Sequence, residues 1–585
     1  MSHRFSVWAP TPTSVEVVLG ERRLPMRAAD RGWWHATVDD AGVGSRYGFS
    51  LDGGPVRPDP RSAFQPEGVE GRSVVVDHAS FAWSDGGWRG VPLAGAVLYE
   101  LHIGTFTTAG TFAAAIEHLP HLIDLGVDAV ELLPVAEFSG DRGWGYDGAD
   151  LFAPHHGYGG PDGLKSLVDA CHAAGLGVVI DVVYNHLGPA GNYLSEFGPY
   201  FSERHQTNWG AAVNFDRPGS DEVRATVIDN ALMWLRDYHV DGLRIDAVHA
   251  IVDGSARHIL EELAEAVEAL VAQVGRPLFL VAESDRNDPR LVRSRDAGGL
   301  GMDGVWADEW HHALHAAFTG DQSGYYEDFG SLELLAKALR QAWVYDGQWS
   351  AHRQRHHDRP PTGLPGHRFV VFSQNHDQIG NRAVGDRSGA LMNEGRLRVA
   401  AALLLCGPFT PMLFQGEEWG ATSPFQYFTD HRDPELGRAV SMGRRREFTA
   451  FGWDPATIPD PQAASTFEAS KLRWDERATA PHAGLLAWHK TLISLRRQTA
   501  DLADPRPSTV SVDVDEAART LVVHRGDVDV VVNVGSGPAR FAVPPDAALL
   551  ATSHADIQID DGRLMVPADA VALVNGRGDK PLRRP

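Results

Sequence analysis

Only two cysteines, Cys171 and Cys406, occur in 585 residues. One falls in a helical pattern and the other follows an apolar run at 400–405, so neither reads as a disulfide partner or a metal ligand. Apolar runs of about 20 residues, the length a membrane span needs, are missing. The opening Met1-Ser-His-Arg-Phe-Ser lacks the basic start and apolar stretch of a secretory leader, so a cytoplasmic location is expected. Positive charge is scarce too. There are 53 Lys and Arg against 77 Asp and Glu, a formal charge of −24, and the basic residues are nearly all arginine, scattered without a stripe. Such a surface repels nucleic-acid phosphates and anionic lipid, which leaves a neutral ligand. Internal repeats are also absent.

The composition that remains is globular, with 43% apolar and 22% charged residues. The length exceeds what one hydrophobic core organises, so two to four domains are expected. Sixteen tryptophans and 27 histidines suit stacking on, and hydrogen bonding to, a polyhydroxylated substrate, although most tryptophans of a chain this size belong to its core.

Residues 1–90 read as short strands (5–9, 15–19, 33–38, 46–51 and 73–76) broken by Gly, Pro and Asp, the spacing of a small β-sandwich. From residue 96 the pattern becomes strand, turn, amphipathic helix, repeated. Strands are predicted at 97–103, 129–134, 178–184, 242–246, 279–283, 304–306, 369–375 and 411–414, which makes a (β/α)8 TIM barrel over 91–508 the leading architecture. Connections at 187–218 and 307–368, the latter with a helical stretch at 332–343, are longer than packing requires, and long insertions at strand exits usually carry function. Alternation returns at 510–514, 520–524, 528–532, 541–543 and 570–574, an all-β C-terminal domain over 509–585. Arg577-Gly-Asp579 near the end reads as a frayed terminus rather than an adhesion motif.

Four segments place acids or histidines at the end of apolar strands: Asp181-Val-Val-Tyr-Asn-His186, Gly242-Leu-Arg-Ile-Asp-Ala-Val-His249, Val281-Ala-Glu-Ser284 and Ser373-Gln-Asn-His-Asp377. Catalytic groups of a parallel barrel come from the C-terminal ends of several strands. The period of two along a strand turns Arg244 and Asp246 to one side, and a guanidinium beside a carboxylate favours the ionised form that a nucleophile needs. Glu283 leaves an apolar strand into the same mouth, where desolvation raises its pKa and keeps it protonated as an acid. Asp377 ends the seventh strand. Three carboxylates facing one cavity are costly as structure, but suit glycoside cleavage through an oxocarbenium-like transition state.

With these segments in hand, the chain resembles the α-amylase superfamily, glycoside hydrolase family 13, over essentially its whole length. By that resemblance Asp246 is the nucleophile, Glu283 the acid/base and Asp377 the transition-state stabiliser. His186 and His376 hydrogen-bond the sugar at the cleavage point and Tyr146 stacks on its ring, with Arg244 and His249 beside them. Val7-Trp-Ala-Pro10 and Pro58-Asp-Pro60 resemble the starch-binding-like domain that precedes the barrel in isoamylases and branching enzymes.

The further segments Ala307-Asp-Glu-Trp-His-His312, Gln374-Asn-His-Asp-Gln-Ile-Gly-Asn381 and Phe414-Gln-Gly-Glu-Glu-Trp419 are similar to the members that act on maltooligosyltrehalose. The resemblance then implies hydrolysis of the α-1,4 bond next to the terminal trehalose, release of trehalose, and pairing with a maltooligosyltrehalose synthase. Asp308, Trp310, His312, Gln378 and Asn381 are implied on the leaving-group side. A glycogen branching or debranching enzyme shares the four catalytic segments, and a non-catalytic glucan-binding protein would lack at least one of the three acids.

No cofactor and no metal are expected. Asn185 matches a calcium position of many α-amylases, but 187–218 is shorter than their calcium-binding insertion. His311 with His315, and His352 with His356, have i,i+4 spacing without further acid or thiol ligands.

Overall fold

The computed structural model describes residues 2–447 and 453–576; Arg577-Gly-Asp579 lies outside them. Eight short strands close a parallel barrel in sequence order: β1 (Leu98–Leu101), β2 (Ala129–Leu132), β3 (Gly177–Val182), β4 (Gly242–Ile245), β5 (Phe279–Ala282), β6 (Gly304–Trp306), β7 (Phe369–Phe372) and β8 (Thr410–Phe414), with β8 pairing back to β1. Every strand residue is buried. That is why the strands read as nearly continuous apolar runs and why a polar residue within one stands out.

Alternate side chains separate into two cores. Leu98, Ala129, Val179, Phe279, Val281, Trp306, Val370, Phe372 and Met412 cluster inside the barrel. Leu243 and Ile245 instead join the larger core that includes buried residues of the surrounding helices, such as Leu164, Trp234 and Leu263. Arg244, between those two, therefore points inward. Its guanidinium lies 4.2 Å from the centre of the Trp306 ring, a cation–π contact closing the apolar plug from above.

All eight predicted barrel strands are present, six of them trimmed at their exits. The residues assigned to strand ends, among them Asp246, Glu283 and residues 373–375, lie just beyond the ladders. The connection at 187–218 holds a hairpin (Phe201–Thr207 with Gly210–Val213). The one at 307–368 starts at once with a helix, Asp308–Thr319, which the sequence reading treats as loop, and then carries Leu332–Gln341.

The N-terminal strands form two sheets. Ser2–Trp8 pairs Trp33–Asp39, and Val15–Leu19 pairs Arg46–Leu51; Phe5, Val7, Val17 and Phe49 are buried. At the other end a five-stranded sheet containing Val510–Asp515, Thr520–Arg525, Val528–Asn533 and Ala570–Asn575 faces a three-stranded one that includes Arg563–Val566. Buried Arg525 ties this end to the barrel side by donating to the backbone carbonyls of Cys406, Leu502 and Asp504, and beneath it Arg496, on the helix His482–Gln498, donates to those of Leu405, Gly407 and Phe409. Cys171 and Cys406 are both free and buried. Among the described residues no helix is long and apolar enough to cross a membrane.

Candidate active site

The exits of β3, β4 and β5 converge on Arg244. Its Nη1 donates to Asp181 at 2.7 Å and to Asp246 at 2.8 Å, and its Nη2 stands 3.8 Å from Glu283. Asp181 and Arg244 are register partners on neighbouring strands, so the first contact is fixed by the ladder itself. The ladder continues past the strand ends: Asp246 N–H donates to the Val182 carbonyl and Glu283 N–H to the Ile245 carbonyl. Immediately after Asp246 the backbone of Ala247 turns into the left-handed region, φ 41°, and its N–H donates to Glu283 Oε2 at 2.6 Å. A non-glycine residue in that region costs on the order of 1 to 3 kcal/mol and is held by its surroundings. Here the strained turn aims an N–H at the second carboxylate.

Asn185 donates its amide to Asp246 at 2.9 Å and meets His186 through its oxygen. Both ends of its side chain are thus engaged within the protein. His186 is buried and stacks, 5.5 Å between centroids, on Trp209 at the hairpin tip, which is 51% exposed. Tyr146 donates to Asp181 at 2.5 Å and lies 2.8 Å from His376 Nε2, with the two rings stacked. The loop that presents Tyr146 passes against β2's exit: a Cβ on Gly145, φ 99°, would sit 2.3 Å from the Pro134 carbonyl oxygen. Only glycine fits there.

Asp377 is the most open of the three acids, its side chain 44% exposed against 13% for Asp246 and for Glu283. His376 Nε2 is 3.6 Å from it and Asn381 donates to it at 3.3 Å; Asn381 in turn accepts from Arg444. Gln378 is buried, its N–H capped by Asn375. His249 and Arg353 flank Asp285, just beyond Glu283, at 3.8 and 3.1 Å.

Burial dominates the electrostatics. It pushes the Glu283 carboxyl well above the ordinary range, and Asp246, Asp308 and Asp377 add to the effect while Arg244 opposes it. Asp308 is pushed up to about 7 by burial and by Asp377, and Asp181 to about 6 chiefly by burial. Burial works against charge on His376, but Glu100 and Asp377 outweigh it and raise the ring to about 9.

One expected pocket residue is placed elsewhere. Trp310 is 1% exposed and packs in the main core rather than presenting its ring to the mouth. The reason is helical phase: Asp308 begins the helix at the exit of β6, half-buried beside the other acids, and two residues later Trp310 has rotated inward. His312, half-buried, rests against Tyr325, Tyr326 and Phe329. Replacing Trp310 by alanine is therefore expected to cost about 3 to 5 kcal/mol of stability, the usual scale for a buried aromatic, and to change kcat/KM alike for any two glucan substrates; thermal melts and paired kinetics check this.

His311 and His315 are committed within the protein, His311 to the Ser373 carbonyl and Tyr326, His315 to Asp321. Among the described residues, two other groups bring potential metal-ligand atoms together: Glu137 with His155 and His156, and Glu309 with His357 and Asp358. In the first, both imidazoles and the His156 N–H hydrogen-bond Glu137. In the second, Glu309 accepts from Asn287 and from the N–H groups of Val344 and Tyr345. Residues passed over by motif reading include Glu100, Trp209 and Arg353. For Glu100 a signal exists, since Tyr99-Glu-Leu-His102 is an acid and a histidine at an apolar strand exit like the other four segments.

Comparison with known proteins agrees with this architecture. Residues 78–210 match the alpha amylase catalytic domain, 1–60 the carbohydrate-binding module 48 of isoamylase N-terminal domains, and 505–573 a domain of unknown function. A malto-oligosyltrehalose trehalohydrolase of Arthrobacter ramosus is 51% identical over 98% of this chain and all of its own length. Another from Rhizobium sp. (strain M-11) is 50% identical over 98% of this chain and 97% of its own. A protein from Salmonella typhimurium, solved as a candidate α-amylase, superposes with a TM-score of 0.90 at 38% identity, with 98% of each chain covered. With a closed eight-stranded barrel, an N-terminal glucan-binding-type module and near-full-length identity of this order, the chain belongs to the malto-oligosyltrehalose trehalohydrolase family of α-amylase-type glycoside hydrolases.

Proposed function

We propose that the chain hydrolyses the α-1,4-glucosidic bond next to the terminal trehalose of maltooligosyltrehalose, releasing trehalose with retention at the cleaved carbon. The observation that carries the reading is the single guanidinium of Arg244, which stands beside both Asp246 and Glu283, two carboxylates of different character. Asp246, ion-paired with Arg244, attacks the anomeric carbon; Glu283, kept protonated by burial, delivers its proton to the leaving oxygen and then activates water. Asp377, open to the cleft, stabilises the oxocarbenium-like charge, and Tyr146, His186 and His376 hold the ring. A retaining pair requires carboxyl groups about 5 to 5.5 Å apart, which is the separation expected with a sugar bound.

Trehalose joins its glucoses through both anomeric carbons, so the unit beyond the cleaved bond bends away from a linear chain. Asp308 and His312 at the β6 exit, with His249, Gln378 and Asn381, are assigned to that side. Alanine at His312 is expected to lower discrimination between maltooligosyltrehalose and maltodextrin by about 1 to 3 kcal/mol, the scale of one pocket contact; the ratio of kcat/KM values for the two substrates measures it. Pairing with a synthase that makes the trehalose end follows from the substrate, because an ordinary glucan lacks that end.

The functional reading is tested by incubating the protein with maltooligosyltrehalose and with maltodextrin of equal length. Free trehalose from the first and slow turnover of the second support it. New branch points in the second, or no turnover of either, defeat it.

A further inference from the structure

We infer that Glu100 is a positioning residue for this reaction, holding His376 as a doubly protonated imidazolium that orders Tyr146, Asp181 and, through them, Arg244. The inference rests on the proposed places of His376 and Tyr146 at the cleaved sugar. Glu100 is the third residue of β1, buried, between its register partners Glu131 on β2 and Phe414 on β8. Leu98, two residues earlier, lies in the barrel interior, so the period of two turns Glu100 inward as well. Its carboxylate is committed to one residue 276 positions away. Oε2 accepts the His376 N–H at 2.9 Å and Oε1 meets His376 Nδ1.

With Asp181 and Glu100 both as carboxylates, counting donors gives the charge. Tyr146 has one hydroxyl proton and gives it to Asp181. At its 2.8 Å contact with His376 Nε2 the phenol oxygen must therefore accept, so Nε2 carries a proton. Nδ1 faces an acceptor-only carboxylate and carries one too. Both ring nitrogens donate, and the imidazole is cationic.

The groups facing it from each packed element are consistent with that charge. They are Glu100 from β1 and His102 just after it, Glu131 from β2, Tyr146 from the loop after that, Asp181 from β3, Arg244 from β4, Trp306 and Asp308 at the end of β6, and Asp377 next in the chain. Of these, Glu131 is driven to its neutral form by burial and by Glu100, and His102 is held neutral by burial. His376 and Arg244 are then the cations among Asp181, Asp246, Glu283, Asp308 and Asp377. If His376 lost its proton, Tyr146 would have to donate to Nε2 and abandon Asp181, which shares its Oδ2 with Arg244, the partner of Asp246. Glu100 thus acts on the nucleophile through a chain of side-chain contacts, without meeting substrate.

Two measurements test this. In Glu283→Gln protein, where the acid no longer titrates, binding of maltooligosyltrehalose is expected to persist to about pH 9, where His376 loses its proton. Adding Glu100→Gln should bring that loss at least about one pH unit lower, since a one-unit shift is the differential interaction of a single neighbouring charge. In otherwise wild-type protein, Glu100→Gln should lower kcat about 10- to 100-fold with KM within about threefold, as expected for misplaced ring-holding groups, and Glu100→Asp should recover part of it. The Glu100→Gln/His376→Gln double variant should be no slower than His376→Gln alone, because the first residue works through the second. Losses that multiply in the double variant, or a binding limb that does not move, overturn the inference. A wild type that releases no trehalose, or an active Glu283→Gln, would instead sink the functional reading, and that is seen without any Glu100 variant.

Discussion

Glutamine at position 283 is expected to lower kcat by about 10² to 10⁴-fold, the range supplied by a positioned general acid, while KM changes little. The substitution keeps the shape and the acceptor that the Ala247 N–H uses at 2.6 Å, so binding has no reason to suffer. What disappears is the proton for the leaving oxygen. Two further readouts separate this from general damage. The part of the alkaline limb of kcat/KM that reports ionisation of Glu283 in the wild type should vanish in the variant, leaving only the fall near pH 9 where His376 loses its proton. Stability should change in the opposite sense to activity. The folded-state pKa of Glu283 lies above its unfolded value, so the native state binds the proton more tightly, and the wild type loses stability as pH rises from the unfolded pKa toward the folded one. A residue that does not ionise escapes that loss, so the Tm of the variant at neutral pH should equal or exceed that of the wild type. Near-normal turnover, or a Tm well below wild type, would remove Glu283 from the acid role.

Loss of the Asp246 carboxylate, as in Asp246→Asn, is expected to be more severe still, roughly 10⁵-fold in kcat, the scale reached when the group that forms the covalent bond is removed. The amide oxygen of that variant can still accept from Arg244 but cannot attack the anomeric carbon, and Arg244 then retains Asp181 as its close carboxylate partner. With one negative charge gone from beside Glu283, the acid's pKa should also fall. Azide supplied to Asp246→Gly protein is expected to restore turnover and to give a β-glycosyl azide: azide attacks from the face that the carboxylate occupied, and Glu283 protonates the departing trehalose. Rescue yielding the α-azide would place the nucleophile elsewhere.

The barrel and its acids were legible because buried parallel strands leave uninterrupted apolar runs, and a charged residue where such a run ends has little reason to be there except function. Asp246, Glu283 and Asp377 all show that signature, and the structure sets them around one mouth with Arg244 beneath. Trp310 was not legible in the same way. Its motif lies next to a strand exit, but whether a residue two positions into the next element faces the cleft or the core depends on where the helix begins, and no cap marks the start: Ala307 makes no side-chain capping bond. Glu100 lies in Tyr99-Glu-Leu-His102, a pattern like the four segments, but it sits inside β1 rather than past its end, and its partner is 276 residues distant, which sequence spacing cannot pair. The short strands Arg22–Pro25, Gln558–Asp560 and Arg563–Val566 were missed for a plainer reason, since three or four residues are too few for an alternation to show.

The most direct test of the central claim is proton NMR of maltooligosyltrehalose as it is cleaved, recorded before the new reducing end mutarotates. A retaining hydrolase that cuts next to the trehalose unit gives free trehalose together with a maltooligosaccharide whose new reducing end is first the α-anomer. A β-anomer at that end, or cleavage that leaves glucose units attached to the trehalose, would contradict the account.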